Sequence, residues 1–137
     1  MLKKTITVLS FVFVLFILSK VSTAQTLTFC EGVDDRGRPE TPSSTFYIPS
    51  GGGYFYFLVR MGSAGEIGCS SVSYLIYDVD YNYNETYNTT IYQDEVGRNW
   101  TWFWKKVTFY ETGYYHVYVK DCYGVYIADS FVTIKWK

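Results

Sequence analysis

Histidine is almost absent from this sequence of 137 residues, which contains only His116. Two patterns that mark catalytic sites, G-x-S-x-G and H-E-x-x-H, are also missing. His116 alternates out of phase with the apolar positions around it, so we expect it to be a surface residue on the outward face of a strand. We therefore expect a non-catalytic protein with no catalytic residues and no cofactor.

Long apolar runs are confined to the amino terminus. Two lysines precede an apolar stretch from Val8 to Leu18, and small residues follow it up to Ala24. This order is typical of a secretory signal peptide, here of bacterial type, over residues 1–24. The stretch is shorter than the roughly 20 residues of a membrane span, although an uncleaved anchor helix is the alternative. We expect a chain that is secreted to the outside or the cell surface, with the periplasm as a further location.

Basic residues are scarce in the remainder, residues 25–137, whose length is that of one domain. Three of the twelve lysines and arginines lie in the signal peptide, which leaves nine against thirteen acidic residues. Nucleic acids and anionic membranes both require a basic surface, so this balance argues against either as the partner.

Helical periodicity is also lacking, and short aromatic and β-branched runs alternate with turn signals instead. Aromatic residues make up 21% of the chain, and fifteen of them are tyrosines, which favours strands. The pattern predicts eight strands, over residues 26–30, 45–49, 54–61, 71–79, 86–93, 100–110, 114–120 and 125–136.

The segment ETGYYHVYV, residues 111–119, resembles the tyrosine corner of immunoglobulin-like domains. Tyr115 stands at the corner position, and Val117 occupies the place of the second cysteine of antibody domains. Residues 54–136 therefore resemble bacterial secreted immunoglobulin-like or fibronectin-III-like modules. The resemblance implies an all-β, antiparallel β-sandwich of seven or eight strands, in which Tyr115 has a structural role.

The same resemblance guides the pairing of three cysteines in an oxidising compartment. In such folds, two loops at one end of the sandwich would contain Cys69 and Cys122, and Cys30 is expected to reach the same end. We predict a Cys30–Cys69 disulfide, with Cys69–Cys122 as the alternative. The first pairing would leave Cys122 able to cross-link a second chain.

The stretch NWTWFWKK places Trp100, Trp102 and Trp104 at alternate positions of a strand, where they share one face. A regular strand would put Val107 and Phe109 in the core and all three indoles in solvent. The indoles would then form a ligand-binding surface.

A β-bulge at Lys105–Lys106 would reverse this arrangement, with the indoles in the core and Phe103 facing outward. We favour the bulge, because a regular strand would point Lys105 into the core. The ligand-binding candidates are thus Trp100, Trp102, Trp104 and Phe103.

Asp78, Asp80 and Asn82 alternate as the ligands of a calcium loop do. However, Tyr83 replaces the required glycine, and Thr89 replaces the bidentate glutamate. We favour a polar hairpin turn, and we predict no metal site beyond this weak calcium candidate.

Three functions fit these observations. The first is a non-catalytic interaction or adhesion module with an aromatic surface. The second is a carbohydrate-binding module that uses exposed tryptophan and tyrosine. The third is a structural subunit of a surface assembly, which would self-associate through Cys122 or an edge strand. The expected partner is a protein or a polysaccharide at the cell surface.

Overall fold

A computed structural model describes residues 22–137, so most of the predicted signal peptide lies outside the described residues. Within this range no helix has the length and apolar character needed to cross a membrane. Residues 22–137 form ten strands, of which the two-residue strands β2 and β3 were not predicted. The strands are β1 (Thr26–Cys30), β2 (Gly32–Val33), β3 (Pro39–Glu40), β4 (Thr45–Ile48), β5 (Gly53–Arg60), β6 (Ser71–Val79), β7 (Glu85–Asp94), β8 (Trp102–Phe109), β9 (Gly113–Asp121) and β10 (Tyr126–Trp136).

Two sheets pack face to face. The small sheet has the order β1-β5-β8, the large sheet has the order β4-β10-β9-β6-β7, and β2 pairs with β3 as a separate hairpin. From β4 onward the chain crosses between the sheets after β4, β5, β7 and β8, which gives an immunoglobulin-like sandwich. One pairing departs from the antiparallel prediction, since β4 runs parallel to β10. The chain changes sheet between β1 and β4, so β4 reaches the edge of the large sheet beside the last strand.

Aromatic side chains from both sheets fill the space between them. Phe55 of the small sheet stacks on Phe46 of the large sheet at 4.1 Å between ring centroids, and on Phe109 at 5.1 Å. Phe57 meets Tyr74 of the large sheet edge to face at 5.4 Å. Such pairs add to the free energy of burying the rings, so they stabilise the contact between the sheets.

The predicted tyrosine corner is present. The Tyr115 hydroxyl donates a hydrogen bond to the backbone oxygen of Glu111 at 3.0 Å, and its ring is buried. Val117, in the place of the antibody cysteine, is fully buried in the core. Tyr115 therefore fixes the connection between β8 and β9.

The predicted Cys30–Cys69 disulfide is wrong, because Cys69 is bonded to Cys122 and Cys30 is a buried free thiol. β1 runs antiparallel to β5, so Thr26, and not Cys30, lies beside Arg60, where the loop to Cys69 begins. Cys30 pairs instead with Tyr56, well inside the sheet. The same bond means that Cys122 is not available to cross-link a second chain.

We expect the double variant Cys69→Ser/Cys122→Ser to lose about 4 kcal/mol of unfolding free energy in urea, because the disulfide closes a 53-residue separation. The control Cys30→Ala keeps the disulfide and should lose far less unfolding free energy.

In the native protein, Cys30 should resist alkylation, since it is buried and burial raises the pKa of its thiol. A disulfide-linked peptide that contains Cys30 would contradict the assignment.

Candidate functional site

The strand that contains Trp102 and Trp104 runs without a bulge, whereas Trp100, predicted to be in the same strand, lies in the turn before it. β8 pairs with β5 in unbroken register from Trp102 opposite Arg60 to Phe109 opposite Gly53. The predicted bulge at Lys105–Lys106 is therefore wrong. Phe103 faces the core and is only 2% exposed, so the prediction that it faces outward is wrong.

Lys105, the reason for expecting a bulge, lies on the inward face but is only half-buried. β8 is an edge strand of the small sheet, and a long side chain on an edge strand can extend its ammonium past the sheet to water. An inward-pointing charge on an edge also discourages pairing with another chain. The sequence pattern did not show that β8 lies at an edge.

The indoles line a cleft of about 530 Å³ along the edge strand β8, beside β7 of the large sheet. Trp100 and Trp104 are each 44% exposed, and Trp102 is half-buried. The remaining lining residues are Gln93, Asn99, Thr101 and Phe103. We call this the tryptophan cleft.

Two glycines allow the backbone to lie directly against the indoles. A Cβ atom on Gly37, whose φ is +75°, would come within 2.4 Å of the Trp102 ring. One on Gly97 would come within 2.3 Å of the Trp100 ring. Trp104 is in edge-to-face contact with Tyr56 at 5.2 Å. All three indoles therefore have a fixed orientation.

Gly37 belongs to the loop between β2 and β3, which Asp34 organises. The Asp34 carboxylate accepts hydrogen bonds from the backbone of Arg38 and Arg36 and from the Arg38 side chain. These bonds, led by the backbone bond from Arg38, hold the pKa of Asp34 below its usual range. The β2–β3 hairpin therefore has a defined conformation and packs on one side of the Trp102 ring.

Gln93 of β7 connects the two sheets at the cleft. Its Oε1 accepts a hydrogen bond from the Tyr74 hydroxyl at 2.6 Å, and its Nε2 donates to the backbone oxygen of Trp104 at 2.8 Å. Both polar atoms of Gln93 are therefore used within the protein. The exposed side chains of Asn99 and Thr101 are the polar groups that the cleft offers to a ligand.

The carboxylates of the calcium candidate hold a hairpin turn. Asp80 accepts hydrogen bonds from the backbone N–H groups of Asn82 and Asn84, both at 2.9 Å. Asp78 accepts one from the Asn88 amide at 3.0 Å. Within residues 22–137, no group of three or more histidine, cysteine, aspartate or glutamate residues is placed to bind a metal ion.

His116 lies on the outward face of the large sheet, but it is 6% exposed and so is not the surface residue we expected. Its Nδ1 lies 2.9 Å from Glu85 Oε1, and its Nε2 lies 2.5 Å from Asp129 Oδ2. The ring packs against Phe131 at 3.8 Å and Tyr118 at 4.1 Å. The aromatic residues at alternate outward positions were a sequence signal that aromatic rings would cover His116. No nearby part of the sequence indicated that two carboxylates would bind it.

Hydrogen bonds connect the neighbours of His116 as well. Burial opposes ionisation of Asp129, but hydrogen bonds from Tyr126 and His116 outweigh it and lower the pKa of the carboxyl. Desolvation and the hydrogen bond to Glu85 raise the pKa of Tyr118 to about 12. A carboxylate only accepts hydrogen bonds, so the ring makes both bonds at once when each nitrogen carries a proton. The cluster ties together β7, β9 and β10.

The structure is similar to that of an immunoglobulin-like protein from Pseudomonas aeruginosa. The match has a TM-score of 0.47 and 12% sequence identity, and it covers 85% of this chain and 100% of the other. A similarity at this level carries no argument about function. No family model matches the chain, and no curated protein matches it.

We expect Asp129→Asn to lower the unfolding free energy by about 1 kcal/mol at pH 7, because it removes a charged hydrogen-bond acceptor. The pKa of Asp129 is lower in the folded than in the unfolded chain. Its ionised form therefore stabilises the fold above about pH 4, and this stabilisation is lost as pH falls through the folded-state pKa. The measurement is urea unfolding at neutral and acidic pH.

The matched control for that measurement is Asp35→Asn, which changes an exposed carboxylate outside the cluster. It should leave stability nearly unchanged at both pH values. A difference between Asp129→Asn and wild type that persisted undiminished at pH 3 would contradict the role of the carboxylate charge.

Proposed function

We propose that this chain is a secreted, non-catalytic binding module that holds a carbohydrate polymer of the cell surface or its surroundings in the tryptophan cleft. The observation that carries the proposal is the exposure of Trp104 on the regular edge strand β8 and of Trp100 in the turn before it, each 44%. An exposed aromatic patch of this kind marks a binding surface more often than a structural feature.

The chemistry of the cleft suits a sugar ring. A pyranose presents C–H groups on its faces and hydroxyl groups around its rim. An indole packs against the C–H groups, while the exposed side chains of Asn99 and Thr101 offer hydrogen-bond partners for hydroxyls. A mainly aromatic lining with a few polar groups is common in small-molecule sites.

The fixed orientation of the indoles further favours this ligand. Trp100 and Trp102 lie against glycine backbone, and Trp104 lies against Tyr56. A surface that is already ordered loses little conformational entropy on binding, so weak stacking contacts can produce measurable affinity.

Adhesion through a protein partner is the second candidate, since exposed tryptophans are also frequent in protein interfaces. Self-association would require an edge strand, because the disulfide occupies Cys122. The binding experiment described next distinguishes these functions, because only carbohydrate binding requires a polysaccharide.

We expect Trp104→Ala to weaken binding to a polysaccharide about tenfold or more, since it removes a stacking surface. Affinity electrophoresis in gels that contain different polysaccharides measures the effect. The matched control is Trp136→Ala, which removes an indole that is 49% exposed at the end of the large sheet. Its affinity should be that of wild type. An equal loss in both variants, or binding to a protein but to no polysaccharide, would contradict the proposal.

A further inference from the structure

The outward side chains of the small sheet carry charge of one sign. Those of β5 and β8 include two cations, Arg60 and Lys106, and no carboxylate, and those of β1 are uncharged. This distribution is opposite to the composition of the chain, which is net negative. The charges that these strands present beside the tryptophans are therefore both positive, although the chain as a whole is net negative.

Both cations adjoin the tryptophans. Arg60 lies directly opposite Trp102 in the register of the two strands. Lys106 follows Trp104 by two residues on the same face, and its Nζ lies 3.9 Å from the centroid of the Tyr54 ring. Along β8, the positions of Trp102 and Lys106 are roughly 13 Å apart. This backbone separation is wider than one sugar ring, so an oligomer suits both cations better than a single sugar does.

Arg60 lies close to Thr101 and Trp102 on this surface. Thr101 and Trp102 also line the tryptophan cleft, so Arg60 lies beside that cleft. A chain that lay across Trp104 and Trp102 would continue towards the guanidinium of Arg60.

Neither cation has a carboxylate partner in the protein. Among residues 22–137, the ion pairs within 4.0 Å are Arg38 with Asp34 and His116 with Glu85 and Asp129. Arg60 is exposed, and Lys106 is exposed as well. Both charges are therefore available to an anionic group of a ligand.

We infer that the polymer bound at the tryptophan cleft is an anionic polysaccharide, with carboxylate or sulfate groups on its sugar units. This inference rests on the proposed function, and it names the class of carbohydrate. The indoles stack on sugar rings, while Arg60 and Lys106 bind anionic groups on different units of the polymer.

The test compares polymers that share a backbone and differ in charge. Polygalacturonate and its methyl ester share one backbone, and dextran sulfate and dextran form a second such pair. At low salt we expect the anionic member of a pair to bind about tenfold more tightly, from two exposed charge contacts. The preference should shrink as NaCl rises to about 0.5 M, where screening shortens the range of charge interactions.

Two double variants, each of which removes two positive charges, show which cations cause the preference for the anionic polymer. Arg60→Gln/Lys106→Gln should lose the preference for the anionic polymer and keep its affinity for the neutral one. Lys120→Gln/Lys135→Gln removes two cations from the outward face of the large sheet and should behave as wild type.

The outcomes distinguish this inference from the proposed function. Equal affinity for charged and neutral polymers, with sensitivity to Trp104→Ala, overturns the anionic ligand and leaves carbohydrate binding in place. An equal loss of preference in both double variants also overturns the assignment of Arg60 and Lys106. Absence of binding to every polymer overturns both.

Discussion

The register of β8 against β5 determines which side chains of the small sheet reach solvent. Because side chains alternate along a strand, one extra residue in β8 would exchange its core and solvent faces. The pairing is unbroken, so Phe103, Val107 and Phe109 are buried, and Trp104 is exposed. The cleft, the cations beside it and the proposed ligand all depend on this one constraint.

Several contacts outside the strand pair hold the same arrangement. Gln93 binds the backbone of β8 from the other sheet, and the loop that contains Gly37 lies on the Trp102 ring. Because β8 lies at an edge, Lys105 can point inward and still be only half-buried. The tryptophan cleft is therefore built on an ordered edge strand. Binding sites on regular strands hold their side chains more precisely than sites on loops do.

Local patterns in the sequence predicted the eight main strands and the corner at Tyr115, because alternation and turn residues act over short distances. They did not predict the disulfide, which depends on the direction of β1 beside β5. Nor did they reveal the surroundings of His116, whose partner Glu85 is 31 residues away. The choice between the two interpretations of the tryptophans failed because the sequence pattern does not show that β8 lies at an edge, where Lys105 can face inward.

Quenching of intrinsic tryptophan fluorescence by acrylamide tests the exposed face most directly. None of the four tryptophans is buried in the structure. The account therefore predicts emission close to that of an indole in water, with quenching of most of the signal in the native state. Trp104→Ala should remove part of this accessible signal. A blue-shifted emission that resists acrylamide until the protein is unfolded would contradict the account, because it would place the indoles in the core.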